Sequence, residues 1–249
     1  VLATSVPPSS AIEERAAKLS ADIAALAESS ESPTVNIIAH SMGGLDARHM
    51  IAHCPPPGVR IASLVTVASP HRGSTFADFL LPEGYDHNAS SASSSSSTSA
   101  ADGEQPQLPL IHLSRLYGLL ERAGLGTTAF GQLTTRYMTQ TFNPSTPDRH
   151  DVRYFSFGAA CPCPPLLSPF RHSWHIIRDA EGSNDGLVSV DSSRWGDYRG
   201  TLMGVSHLDL INWSNKVRWT LREWMGIRKP FNAIAFYLDI ADMLAKEGL

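Results

Sequence analysis

Apolar residues recur at 12, 16, 19, 23 and 26, a helical spacing that begins just behind Ser10 and Glu13, which stand three apart as a capping box. The pattern predicts an amphipathic helix over about 10–28, ended by a polar run up to Pro33. The period then changes. Segments 35–39 (VNIIA) and 61–67 (IASLVTV) are short, almost wholly apolar and rich in β-branched residues, as strands buried on both faces are. A turn at 40–44 and a helical stretch to about residue 53 separate them, and Pro55-Pro56-Pro57-Gly58 breaks the chain between. Further along, 152–157 (VRYFSF) reads as a third strand and 200–205 as a fourth. A helix is expected from 207 toward 224, and residues 231, 234, 235, 238 and 241 fit a final one. Segment 1–6 (VLATSV) is β-prone and stops at Pro7-Pro8. Strand, helix, strand in this order predicts the α/β class: a mostly parallel sheet with crossover helices.

Residues 87–107 interrupt this alternation with a segment dominated by Ser and Ala, a composition that cannot bury a core and is expected to be disordered. Beyond it, Leu113, Leu116, Tyr117 and Leu120 mark an amphipathic helix over 109–123. The whole of 1–249 is read as one domain, with 76–150 as an insertion. No internal repeat is visible.

Composition narrows the function classes. The chain has 249 residues and a formal net charge of -4, so no basic field suggests a nucleic-acid partner. No apolar run is long enough for a transmembrane helix. Three cysteines, Cys54, Cys161 and Cys163, argue against a disulfide framework, and the Cys161–Cys163 pair lacks the second ligand pair of a zinc site. With few cysteines and no signal-peptide pattern, an intracellular location is expected, in an organelle or at a membrane surface at most. A start at Val1 rather than Met implies residues upstream.

Chemistry enters at Ala39-His40-Ser41-Met42-Gly43-Gly44, between a strand and a helix. A serine on such a turn is forced into a strained backbone conformation and lifted above the carboxyl ends of the strands. The motif G-x-S-x-G here has Ala39 in place of its first glycine, still small enough for a close helix–strand contact. Ser41 is the expected nucleophile, and the backbone N–H of Met42, at a helix N-terminus, the expected oxyanion donor.

A serine needs a general base, and histidine suits neutral pH. Of ten histidines only His207 lies beyond residue 175, directly behind a strand-like segment, where a loop can turn the ring toward Ser41. His40 lies inside the elbow and is read as a pocket or hydrogen-bonding residue; His71, His172 and His175 are read as surface or pocket residues. By order along the chain the orienting acid is one of Asp179, Glu181, Asp185, Asp191 or Asp197. Asp185, on the tight turn Asn184-Asp185-Gly186, is favoured because such a turn holds a carboxylate rigidly.

Four ordered segments, AHSMGG, VTVASPHRGSTFADFL, NDGLVSVDSS and SHLDLIN, resemble the bacterial-type triacylglycerol lipases and their fungal relatives. The resemblance runs from about 33 to 215 and implies an α/β-hydrolase fold, Ser41, Asp185 and His207 as a triad, and lipid esters at a lipid–water interface as substrate. It implies a lid in the 76–150 segment, with Leu113, Leu116 and Leu120 on its apolar helix. Bacterial members hold a calcium ion near the base, and Asp209 matches one ligand; a second ligand position is Trp213, which cannot coordinate it, so no cofactor is expected. The family's second oxyanion donor comes from a His-Gly loop after an earlier strand. No such segment precedes residue 35, and the His71-Arg72-Gly73 run follows the wrong strand. The expected function is a serine carboxylic-ester hydrolase, with a truncated or inactive lipase-like protein and a lipid acyltransferase as alternatives.

Overall fold

The computed structural model describes residues 3–4, 6–7, 10–27, 33–81, 127–166, 168, 170–212 and 231–249. Four strands, β1 (Thr34–His40), β2 (Arg60–Val67), β3 (Arg153–Ala160) and β4 (Asp197–Met203), lie side by side in chain order. All three pairings are parallel, with Ile37 opposite Leu64, Val65 opposite Phe155 and Phe157 opposite Gly200. Parallel neighbours need crossovers, and these are helical. Helix α1 (Ile12–Ala27) precedes the sheet, α2 (Gly43–His53) follows β1, and α3 (Thr75–Leu80) and α4 (Thr127–Gly131) lie between β2 and β3. Helix α5 (Arg171–Glu181) links β3 to β4, and α6 (Ala233–Lys246) closes the chain.

Strand alternation decides which helix packs where. On β2, Leu64 packs with Ala16, Leu19 and Ile23 of α1 and with Ala47, Met50 and Ile51 of α2. Its neighbours Val65 and Val67 pack instead with Phe236, Ile240 and Leu244 of α6. Adjacent β-residues point to opposite faces, so Leu64 and Val65 place α1 and α2 on one face and α6 on the other. Val35 pairs with Ile61 but Asn36 with Ser63, which leaves Ala62 as a bulge and brings Ile61 onto the Leu64 face.

Two polar ties hold α1 in place. Arg15 and Asp46 form a buried bidentate pair between α1 and α2 at 2.8–3.0 Å. At the start of α1 the Ile12 N–H donates to Gln132 Oε1, and Glu13 accepts from Gln132 Nε2, so Glu13 serves a partner far along the chain.

Several boundaries differ from the sequence reading. The fourth strand lies at Asp197–Met203 rather than 200–205, because Gly204 and Val205 already turn, both donating to the Ala160 carbonyl. The third runs on to Ala160; a Cβ on Gly158 would lie 2.5 Å from Tyr198 Oη, so the strand continues through residues too small for an apolar-run search. Of the helix expected from 207 toward 224, residues 207–212 hold a 3₁₀ turn, Asp209–Ile211, ended by Asn212 at φ 53°, and the rest lies outside the described residues. The final helix starts behind Asn232, whose side chain accepts from Ala235 N.

Two pieces of the 76–150 segment belong to the body. Phe76, Phe130, Leu133, Met138 and Phe142 bury their side chains in one cluster with Ile12, Met42 and Leu45. The Ser-rich 87–107 stretch, the expected helix 109–123 with Leu113, Leu116 and Leu120, and Trp213 lie outside the described residues. No helix among the described residues is long and apolar enough to cross a membrane.

Candidate active site

Ser41 has φ 56°, one of three non-glycine residues with positive φ among the described residues. That conformation costs roughly 1–3 kcal/mol and persists only where the surroundings impose it. They do so here on both sides of the turn. The Ser41 N–H still donates to Val67 O on β2 at 2.9 Å, while Gly44 N already donates back to Ser41 O at 3.1 Å. A Cβ on Gly44 would fall 2.8 Å from Ser69 Cβ and 2.9 Å from Thr66 Cγ2, so only glycine lets α2 approach β2 here. A Cβ on Gly43 would meet Ala39 Cβ at 3.9 Å, ordinary contact, which explains why Ala39 fits in a place usually given to glycine.

His207 stands in the loop after β4. Its loop is held by Asp209, whose Oδ2 accepts from Ser206 N at 3.0 Å and from Ser206 Oγ at 2.6 Å. Asp185 sits on a hairpin closed by an antiparallel bridge between Asn184 and Ser189. Gly186, at φ 105°, completes its turn, and Asn184 Oδ1 accepts from Gly186 N at 2.9 Å. From α5, Ser173 Oγ donates to Gly186 O at 2.6 Å, and Asn184 Nδ2 donates back to Trp174 O at 3.2 Å. Asp185 Oδ1 accepts two backbone N–H groups, Leu187 at 3.0 Å and Val188 at 2.8 Å. Its other oxygen is left to face His207.

Three side chains far apart in the chain meet at this rim. His207 Nε2 lies 2.9 Å from Ser41 Oγ, and His207 Nδ1 lies 2.7 Å from Asp185 Oδ2. A carboxylate only accepts, so Nδ1 carries the proton and Nε2 offers its lone pair to the Ser41 hydroxyl. Asp185 and His207 are 1% and 5% exposed, whereas Ser41 is only partly buried, open enough for a substrate. The Met42 N–H has no acceptor among the described residues and opens α2, where a developing negative charge is favoured.

The remaining sequence candidates fall elsewhere. Asp179, Asp191 and Asp197 are exposed, and Glu181 accepts from Thr75 N at 3.0 Å and bonds Ser189. The His71-Arg72-Gly73 run offers no spare amide: its three N–H groups go to Ser69 and Ser192 carbonyls, Ser192 Oγ and Pro70 O. His71 itself, read from sequence as surface or pocket, is fully buried. Its Nε2 meets Thr66 Oγ1 at 3.0 Å and its Nδ1 faces Arg48 at 3.4 Å. Arg48, equally buried, stacks on Trp195 at 3.5 Å and donates to Asn143 Oδ1 at 2.9 Å, tying α2 to the chain returning at 143. Sequence reasoning missed this network because a buried arginine carries no local signal. His172 lies edge-on to Phe79, and His175 contacts the exposed Cys163. Asp209 is committed to Ser206, and no group of three or more His, Cys, Asp or Glu among the described residues could hold a metal ion.

A parallel sheet with helices on both faces and a sharp serine turn at the carboxyl end of a strand is the arrangement of the α/β-hydrolases. Solved structures agree on that fold: a Bacillus licheniformis lipase in its mature form matches with a TM-score of 0.59 at 19% identity, over 86% of this chain and 75% of its own. By sequence, triacylglycerol lipase 2 of Saccharomyces cerevisiae is 37% identical over all of this chain and 69% of its own length. A triacylglycerol lipase of Pseudarthrobacter phenanthrenivorans is 28% identical over 72% of this chain and 66% of its own. A family model described as palmitoyl protein thioesterase matches residues 8–105. The chain belongs to the triacylglycerol lipase family, and so to the lipase and esterase class of hydrolases.

Proposed function

We propose that this protein hydrolyses long-chain acyl esters of glycerol, with Ser41 as nucleophile, His207 as general base and acid, and Asp185 as the group that orients His207. The observation that carries the reading is the continuous relay of 2.9 and 2.7 Å from Ser41 Oγ through the imidazole to Asp185. Ser41 Oγ attacks the ester carbonyl as its proton passes to His207 Nε2. The carbonyl oxygen becomes an oxyanion, and the Met42 N–H is aimed where that charge develops. Asp185 stabilises the imidazolium, which then protonates the departing alcohol oxygen. Water, deprotonated by His207, cleaves the acyl-enzyme and releases the fatty acid.

Relatives named triacylglycerol lipase support the glyceride substrate. The same relay would also open a thioester, and the thioesterase family match over 8–105 favours testing one. Release of fatty acid from a long-chain triacylglycerol emulsion, beside a palmitoyl thioester, is the direct experiment. Wild type should release fatty acid from the glyceride and Ser41→Ala should not. A thioester-only activity, or equal turnover by Ser41→Ala, would reject the proposal.

A further inference from the structure

The relay leaves one feature of the base unexplained. Hydrogen bonds at Nδ1 and Nε2 fix a line through the imidazole but not the plane of the ring. A flat neighbour on its face can fix that plane. His40, the last residue of β1, packs against the ring in a tilted contact: its ring centroid is 4.5 Å from that of His207, with the planes inclined by 44°. Its Nε2 is buried with no hydrogen-bond partner among the described residues. Burial, then the neighbouring His207, holds His40 well below the ordinary histidine range, so it is uncharged near neutral pH. Among the described residues His207 is the titratable group acting on His40, and Asp185 lies at the His207 Nδ1 edge.

We propose that His40 is a positioning residue for His207: a neutral ring that sets the plane of the base and keeps water off one face. This rests on the assignment of His207 as the base. The placement follows from the elbow. Residue 40 ends the strand that the turn at Ser41 leaves, so nucleophile and prop come from adjacent positions and meet the His207 loop together.

The test uses His40→Ala and His40→Phe in the full-length protein, with ester hydrolysis followed across pH. Without the ring, the base tilts and water reaches the imidazolium. His40→Ala should lower kcat roughly 10- to 100-fold, as small misplacements of reacting groups do. KM should stay within about twofold, and the acid limb of kcat/KM should move up by about half a pH unit or more. His40→Phe keeps a flat, dry neighbour and should restore the limb and most of kcat. Wild-type kcat and pH limb in His40→Ala would overturn the proposal. So would a fall in kcat that tracks lost Tm with the limb unmoved, or a His40→Phe enzyme as impaired as His40→Ala. If His40→Ala does not fold, the limb and kcat of His40→Phe decide alone. Ser41→Ala run in parallel separates the two levels: turnover surviving in Ser41→Ala defeats the site assignment itself, whereas failure confined to the His40 variants defeats only this inference.

Discussion

The backbone N–H of His207 donates to the Asp185 carbonyl at 3.0 Å, and its ring Nδ1–H donates to the Asp185 carboxylate at 2.7 Å. One residue thus holds both the loop and the ring of the other. The second oxygen of that carboxylate is fixed by the Leu187 and Val188 amides, so the orienting oxygen cannot rotate away.

This arrangement predicts the outcome of Asp185→Asn. The amide oxygen will stay on the two backbone N–H groups, which turns its NH₂ toward His207 Nδ1. A donor there forces the proton onto Nε2, the nitrogen that must accept from Ser41. Activity should fall about 10,000-fold, the size associated with the wrong tautomer, while the fold is kept. Steady-state kinetics with a thermal melt check it; a loss below about tenfold would contradict the assigned role.

The two glycines of the elbow should respond differently to alanine. Gly44→Ala drives a methyl into Ser69 and Thr66 on β2 and the loop after it, and should cost about 1–3 kcal/mol by overpacking. Gly43→Ala meets Ala39 at an ordinary 3.9 Å and should be within about 0.5 kcal/mol of wild type. Urea unfolding of both variants measures the contrast.

That contrast marks what was legible in the sequence. The elbow and its flanking strands could be read because buried parallel strands are apolar runs and a tight turn demands small residues. His207 was legible by its place behind a strand, and Asp185, one of five candidate acids, through its tight turn and the family resemblance. Strand β4 was misplaced by three residues because DYRG at its start is polar, as an edge strand's solvent-facing positions can be. The supports of Asp185 were not legible: Ser173, thirteen residues away from Gly186 on α5, touches it only through the fold. The same holds for Arg48 and His71, which meet Asn143, 95 and 72 residues further along the chain. Local periodicity reports which face of an element is apolar, not which polar side chain that face will enclose.

Buried histidines set an acid limit on stability. His40 and His71 are held well below the ordinary range chiefly by burial, so the folded state refuses protons that the unfolded chain accepts below about pH 6.5. Stability is therefore full above that pH and falls as pH drops through the range where the unfolded histidines take up protons. Asp46 acts with the opposite sign. Burial lifts it to about 6 against the pull of Arg15, so the folded carboxyl keeps a proton that the unfolded one releases above about pH 4. As pH falls from about 6 to 4 it therefore opposes the loss caused by the histidines. Replacing His71 by Gln should flatten the fall of Tm between pH 6.5 and 5; an unchanged slope would show that His71 takes no part.

The most direct measurement is covalent labelling by a fluorophosphonate, which reacts only with a serine whose proton has somewhere to go. Mass spectrometry of the labelled protein should find one adduct, on the peptide carrying Ser41. Labelling should vanish in Ser41→Ala and slow by orders of magnitude in His207→Ala. An unlabelled Ser41 in the folded protein, or labelling that survives in His207→Ala at the wild-type rate, would contradict the account.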